Sequence, residues 1–143
     1  LMMAHLSMVL KLCRKYHLRP QMWSDMFVHM LDNGDNSFTI PEELQIVYWD
    51  YYSTEEKRYH DNFEKQLPIS RRLGFAGGAW KWTGFVPHNA YSILAGRASM
   101  KSCKEFGIDS IQSHAGEMMG QKQAAFLYCQ HSLKMHQWHM KVR

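Results

Sequence analysis

Apolar residues recur along the chain in blocks whose spacing switches between helical and extended. Residues 3–16 carry apolar side chains at near-helical spacing and basic side chains toward the end, which predicts an amphipathic helix. The short apolar run at 18–25 predicts a strand, and the turn-forming sequence DNGDN at 32–36 predicts that a loop follows. Residues 44–52 (LQIVYWDYY) are almost continuously β-branched and aromatic, which is typical of a parallel strand buried on both faces.

The following segment repeats this order of helix and strand. A helix is predicted over residues 55–66, with Ser53 or Thr54 as its cap and Pro68 interrupting it. Residues 73–82 (LGFAGGAWKW) predict the third strand, in which paired glycines let another backbone or a ligand approach closely.

The last part of the pattern predicts one more helix and one more strand. Asn89 or Ser92 is expected to cap a helix that runs to residue 106 and stops at Gly107, and residues 108–113 predict a fourth strand. Strands that alternate with helices at this spacing predict the α/β class with a parallel sheet. A complete (β/α)8 barrel takes about 250 residues, so four such units correspond to a partial TIM barrel.

Each of the first three predicted strands ends in aromatic or acidic side chains. These are Trp23, Asp25, Trp49, Asp50, Tyr51, Trp80 and Trp82. In an α/β barrel the carboxyl ends of the strands form the active-site face, so we expect these side chains to converge on one pocket. A structural alternative stays open for each: the tryptophans pack in the core, the carboxylates cap loops, and the tyrosine is a core residue with a satisfied hydroxyl.

Composition and charge narrow the classes of function. The 143 residues carry a net charge of +4, but the basic residues are dispersed, so we expect no nucleic-acid partner. The mean hydropathy of −0.44 argues against a membrane protein. The three cysteines show no metal or redox spacing, which favours a reduced, cytoplasmic setting without a cofactor. His131, His136 and His139 make no complete ligand set, so no metal is expected.

Three segments resemble consecutive strand-to-loop motifs of glycoside hydrolase family 20, the exo-β-N-acetylhexosaminidases. The likeness is greatest to the bacterial branch similar to hexosaminidase D. The segments are residues 19–27 (RPQMWSDMF), 45–52 (QIVYWDYY) and 75–89 (FAGGAWKWTGFVPHN). In that family they follow one another as the fifth, sixth and seventh strands. The resemblance therefore implies that residues 1–111 form the C-terminal half of the catalytic barrel.

The resemblance also implies a mechanism and a set of site residues. Enzymes of this family use substrate-assisted catalysis, in which the acetamido oxygen of the sugar attacks the anomeric carbon. Tyr51 matches the position whose hydroxyl holds that oxygen. The remaining implied substrate contacts are the aromatic walls Trp23, Trp49, Trp80 and Trp82, the hydroxyl-binding carboxylates Asp25 and Asp50, and the weaker candidate Asn89.

The chain departs from the family at the catalytic acid. The family's acid belongs to an Asp-Glu pair after the fourth strand, and no Asp-Glu dipeptide occurs in this sequence. Since the sequence starts on the helix after that strand, we expect the acid to be missing and the isolated chain to be inactive. The alternatives are a sugar-binding remnant without catalysis and a decayed gene product. The expected partners are a small-molecule or glycan substrate and, through exposed sheet edges, the missing barrel half or a second copy.

The C-terminal tail departs as well. Residues 112–143 replace the family's last strand motif with a Met-, Gln- and His-rich sequence. Back-translated and read one nucleotide earlier, the codons allow Trp-Gly-Asp-Asp-Gly-Ala-Glu, and Met118, Met119 and Gly120 force the Asp-Gly within it. The sequence therefore predicts a frameshift near Ile111, through sequencing error or pseudogene decay.

Overall fold

The computed structural model of the chain describes residues 2–79 and 88–115. Along the chain it contains α1 (Met2–Lys15), β1 (Gln21–Trp23), α2 (Asp25–Asp32), β2 (Gln45–Trp49), α3 (Glu56–Gln66), β3 (Leu73–Ala79), α4 (Asn89–Glu105) and β4 (Ser110–Ala115). Helices alternate with strands, which confirms the predicted α/β class.

The strands form one parallel sheet in the order β1-β2-β3-β4. Gln21 lies beside Gln45 in the first pair of strands, and Tyr48 lies beside Phe75 in the second. Parallel neighbours must be joined by a crossover, and each crossover here contains one helix. The predicted parallel sheet is therefore confirmed.

The helices cover one face of this sheet. Ile46 and Tyr48 of β2 share that face with Leu73 and Phe75 of β3, and all four lie in the buried core. The ring of Phe63 from α3 lies 5.7 Å from that of Tyr48 and 5.9 Å from that of Phe75, between ring centroids. Because side chains alternate across a strand, the residues in between face the opposite side of the sheet.

The opposite face is concave. On it, Gln21 Nε2 donates to Gln45 Oε1 at 2.7 Å, and Gln112 Nε2 donates to Gln21 Oε1 at 2.9 Å. Neighbouring strands are about 4.8 Å apart, so β1 and β4 would be about 14 Å apart in a flat sheet. Side chains standing straight out of a flat sheet would not meet over that distance, and the contact between Gln21 and Gln112 therefore reflects strong curvature.

Residues 33–36 form a turn and a loop where DNGDN predicted a loop, but no helix was predicted between β1 and β2, where Asp25–Asp32 forms α2. Its signals were present in the sequence: Asp25 favours a first turn, and Asn33-Gly34 favours a stop. Phe27 is fully buried, the Asn33 side chain donates to the carbonyl of His29 at 2.9 Å, and Gly34 has a φ of 75°. Eight residues are too few for a helical period to stand out beside the DNGDN turn.

The ends of the later helices differ in detail from the predictions. The cap of α3 is Glu55, and Ser53 Oγ accepts a hydrogen bond from its N–H at 3.1 Å. The cap of α4 is His88, whose carbonyl accepts from Ser92 Oγ at 3.0 Å. The predicted stop at Gly107 is confirmed, since its φ of 67° is a conformation that glycine adopts without strain.

The fourth strand runs from Ser110 to Ala115, slightly later than predicted. The expected boundary between residues 111 and 112 therefore falls within β4. Residues 116–143 lie outside the described part of the chain, so the frameshift stays a prediction.

Candidate functional site

Trp49 and Asp25 meet at the carboxyl ends of β1 and β2. Trp49 is the last residue of β2, and its indole Nε1 donates to both carboxylate oxygens of Asp25, at 2.8 and 2.9 Å. Asp25 is the first residue of α2, where its charge matches the positive end of the helix. Trp49 is 36% exposed and Trp23 is 43% exposed, so neither is a core side chain.

Tyr51 extends this pair into an aromatic surface. Its ring centroid lies 5.3 Å from that of Trp49 and 6.2 Å from that of Tyr52. Burial raises the pKa of Tyr51, and the neighbouring Tyr52 and Asp25 raise it further. At neutral pH its hydroxyl is therefore protonated and available as a hydrogen-bond donor.

Asp50 points to the other side of the chain. It is 4% exposed, its Oδ2 accepts from Tyr48 at 3.1 Å and from Arg58 Nε at 2.5 Å, and its Oδ1 accepts from the N–H of Tyr52 at 2.8 Å. Both carboxylate oxygens are thus bound by protein donors. Alternation explains the split, because Trp49 and Tyr51 share one side while Tyr48 and Asp50 share the other.

The groups around Asp50 compensate the burial of its carboxylate. The hydrogen bond and the charge of Asp50 raise the pKa of Arg58, so the guanidinium stays cationic. Burial raises the pKa of Tyr48, and the nearby carboxylate raises it further. A neutral phenol and a cation therefore hold one buried anion, which is the arrangement that compensates a buried charge.

Two further tyrosines hold the loop that carries Tyr51. The hydroxyl of Tyr59 in α3 donates to the carbonyl of Ser53 at 2.7 Å, and the hydroxyl of Tyr91 in α4 donates to the carbonyl of Tyr52 at 2.6 Å. The loop is therefore fixed from two helices. Sequence reasoning missed these residues and Arg58, although the first turns of helices that follow parallel strands lie at the same end of the sheet as the motifs.

The two exposed tryptophans line different hollows in the described part of the chain. A crevice of about 340 Å³ opens beside Trp49. It is lined by Ser24, Asp25, Val28, His29, Asp32, Tyr48, Trp49, Asp50, Tyr52, Arg58 and Asn62. Trp23 instead borders a hollow of about 230 Å³ on the concave face, with Gln21, Met22, Val47 and Gln112. These two hollows share no lining residue, and Tyr51 lines neither of them, so the expectation that the described strand-end residues converge on one pocket is wrong for Trp23 and Trp49.

The remaining predicted site residues lie toward β3 and α4. Asn89 is the first residue of α4, and its buried Oδ1 makes no hydrogen bond within the described residues. Trp80 and Trp82 lie outside the described ranges, so their predicted role as aromatic walls is untested.

The described part of the chain has neither a metal-binding cluster nor a membrane-spanning helix. Residues 2–79 and 88–115 contain no cluster of three or more histidine, cysteine or acidic side chains that suits a metal ion. None of their helices combines the length and the apolar character that a membrane span requires. Cys103 is a free, buried thiol whose pKa burial raises, and His131, His136 and His139 lie outside the described ranges.

No model of a known protein family matches this chain, and no curated protein matches it. The resemblance to family 20 therefore rests on the three sequence motifs alone. The first motif contains β1, the second contains β2, and the third begins within β3. Their described parts therefore belong to three neighbouring parallel strands.

Proposed function

We propose that this chain is the C-terminal half of the catalytic (β/α)8 barrel of a family 20 β-N-acetylhexosaminidase. Such an enzyme hydrolyses terminal N-acetylhexosamine from glycans. The observation that carries the proposal is the contact among Asp25, Trp49 and Tyr51, which come from two separate motifs and meet at the carboxyl end of a parallel sheet. The strand order and the concave face away from the helices support a partial barrel.

The chemistry of these groups suits the recognition of an N-acetyl sugar. In substrate-assisted catalysis the protein supplies no nucleophile and must hold the acetamido group in place. The protonated hydroxyl of Tyr51 donates to the acetamido oxygen in this proposal. The exposed ring of Trp49 stacks on an apolar sugar face, and the carboxylate of Asp25 accepts hydrogen bonds from sugar hydroxyls.

Asp50 has a different role in this proposal from the one its motif suggested. Since it is 4% exposed and its oxygens accept from three protein donors, it acts as a positioning residue that fixes the loop carrying Tyr51. Arg58 and Tyr91 hold the same loop. Their contribution is to keep the tyrosine hydroxyl in one place, which lowers the entropic cost of orienting the sugar.

The isolated chain is proposed to bind and not to cleave. Among the described carboxylates that line the crevice, Asp25 is bound by the indole of Trp49, Asp32 pairs with Lys65, and Asp50 is buried with Arg58. None of the three is placed as a proton donor to a leaving oxygen, a step typically worth 10²–10⁴-fold in rate. The same observation favours a second candidate function, a sugar-binding remnant without catalysis.

Binding is tested by titrating N-acetylglucosamine or N-acetylgalactosamine into the isotopically labelled chain. We expect a Kd on the order of 1 mM, with the Trp49 indole resonance shifting. Tyr51→Phe should weaken binding of the acetamido sugars several-fold and leave binding of glucose, which lacks the acetamido group, unchanged. Tyr16→Phe is the control, since Tyr16 is 61% exposed in the segment after α1. The absence of any shift with either N-acetyl sugar would contradict the proposed site.

Catalysis is tested with an aryl N-acetyl-β-hexosaminide. The 143-residue chain should hydrolyse it no faster than background. Joined to the N-terminal barrel half of a family 20 enzyme that carries the Asp-Glu pair, and with its reading frame corrected at Ile111, it should gain activity, which Tyr51→Phe should remove. Turnover by the isolated chain would refute the assignment as a half-site, and a folded but inactive joined protein would refute the family.

A further inference from the structure

The outer side of α1 carries a row of apolar side chains. Leu6 and Leu10 on the inner side are buried at 8% and 3% exposure, whereas Met8 and Leu12 are 59% and 56% exposed. Residues four apart are neighbours on a helix, so Met8 and Leu12 lie in one line along its surface. The N–H of Tyr16 donates to the carbonyl of Leu12 at 3.0 Å, which continues the helical turn and places Tyr16, 61% exposed, at the end of this line. We call these three side chains the outer row.

Two lysines lie beside the outer row. Lys11 follows Met8 by three positions and Lys15 follows Leu12 by three, so each lysine is a helix neighbour of one member of the row. The Nζ of Lys15 lies 5.4 Å from the centroid of the Tyr16 ring. Both lysines are exposed, and neither forms an ion pair within residues 2–79 and 88–115. Their carbon stems can therefore lie along the apolar row while their ammonium groups stay free to contact an anion.

The excess positive charge of the chain is concentrated in the same region. The basic residues are spread along the whole sequence, but the acidic residues begin only at Asp25. Residues 1–24 contain Lys11, Arg14, Lys15 and Arg19, and the net charge of the whole chain is +4, so the rest of the sequence is balanced. Contact between the outer rows of two copies would bring like charges together. The charge instead favours a partner surface that is negative.

We propose that the outer row binds the anionic surface of a lipid bilayer. A helix at such a surface places apolar side chains at the boundary between headgroups and acyl chains, and its lysines contact anionic headgroups. Tyr16 suits this boundary because its ring is apolar and its hydroxyl stays hydrated. A nucleic acid would contact the lysines through its phosphates and leave the apolar row uncovered. The proposed contact lies parallel to the bilayer and differs from a membrane span.

This inference does not rest on the proposed function, because it uses only the surface and charge of α1. The 143-residue chain is mixed with vesicles of phosphatidylglycerol and phosphatidylcholine, and bound chain is separated by flotation, which leaves aggregates behind. We expect the chain to float with these vesicles and not with vesicles of phosphatidylcholine alone. Raising the salt from about 0.1 M to about 1 M should weaken binding, since the screening length falls from about 10 Å to about 3 Å.

Two double variants separate the apolar contribution from the charged one. Met8→Gln with Leu12→Gln should lower the partition coefficient at least about tenfold, because it removes apolar area from the contact. Its circular dichroism spectrum should be unchanged, since both side chains are exposed and glutamine is a good helix former. Lys11→Gln with Lys15→Gln should lower the partition coefficient about thirtyfold, the worth of two lysines at an anionic surface.

Matched controls change the same kinds of side chain on other helices. Leu94→Gln removes an apolar side chain that is 53% exposed on α4, and Lys57→Gln with Lys104→Gln removes two positive charges from α3 and α4. Both should leave the partition coefficient nearly unchanged.

Four outcomes would overturn the proposal. They are the absence of binding to the anionic vesicles, an equal loss of binding in the controls, and binding that survives the loss of both Met8 and Leu12. The fourth is a dimer of the unmodified chain that the change of Met8 and Leu12 dissociates, because a second copy would then cover the outer row.

Discussion

The two faces of the sheet differ in chemistry although the same four strands supply both. On the helix side, β2 and β3 present Ile46, Tyr48, Leu73 and Phe75, all of them in the buried core. On the concave side, the strands present three hydrogen-bonded glutamines and the small residue Gly74. Trp23, Trp49 and Tyr51, whose sequence motifs suggested sugar contacts, lie at the carboxyl ends of β1 and β2 and alternate with the residues on the helix side.

The difference separates the residues that stabilise the fold from those available for binding. Burial of apolar area drives folding, so the helix side supplies most of the stability. Polar and small side chains on the concave side contribute less and leave room for a ligand or another strand. Asp50 contributes to both regions. It is buried on the helix side, and it accepts a hydrogen bond from the N–H of Tyr52 in the loop that carries Tyr51.

The largest expected effect is at the centre of the helix side. Phe75 is fully buried, and its ring lies 5.8 Å from Tyr48, 5.6 Å from Tyr59 and 5.9 Å from Phe63. Phe75→Ala should lower the free energy of unfolding by about 3–5 kcal/mol, measured by urea denaturation. Gln112→Ala on the concave side should cost only about 1 kcal/mol, the worth of one hydrogen bond. Equal losses of unfolding free energy in the two variants would contradict the view that the helix side supplies most of the stability.

The next effect is at the junction of the two faces. Asp50→Ala leaves the hydroxyl of Tyr48 and the N–H of Tyr52 without their acceptor, so the free energy of unfolding should fall by about 1–3 kcal/mol. Arg58 adds little to this loss, because its side chain is 60% exposed and water solvates it. Asp25→Ala removes an exposed bond to Trp49 and should cost under about 1 kcal/mol. Thermal denaturation of both variants measures the difference.

A smaller effect of opposite sign is expected at Gln66. This side chain of α3 is fully buried, and neither atom of its amide group has a hydrogen-bond partner within the described residues. Gln66→Met keeps the volume and removes the unpaired polar atoms, so it should raise the free energy of unfolding by about 1 kcal/mol. Gln45→Met is the control, since it loses the bond from Gln21 and should destabilise the chain. Destabilisation by both would show that the Gln66 amide is satisfied.

The smallest effect is a pH dependence on the helix side. The folded pKa of Tyr48 is raised, mainly by burial, so its contribution to stability is fully present below the unfolded pKa of about 10. Stability should fall as the pH rises above that value, and Tyr48→Phe should reduce this fall. Tyr16→Phe, at a position 61% exposed, should leave the pH profile unchanged. Urea denaturation between pH 8 and about 11 separates the two variants.

Much of the fold was predictable because its signals are local. The apolar runs at β2 and β3 and the helical spacing of α1 are long enough to stand out. The short helix α2 was not predicted, because eight residues form little more than two turns and the adjacent DNGDN sequence predicts a loop. The candidate site was predictable as a set of residue types at strand ends, but the buried position of Asp50 was not.

The amino-acid sequence by itself determined the order of helices and strands apart from α2, the parallel sheet and the aromatic character of the strand ends. These properties follow from periodicity and residue type, which act over a few residues. Only the tertiary structure decided that the Trp49 indole binds Asp25, that Asp50 pairs with Arg58, and that Gln21 reaches Gln112. Each of these contacts joins different elements, and its geometry depends on how helices pack and how strongly the sheet curves.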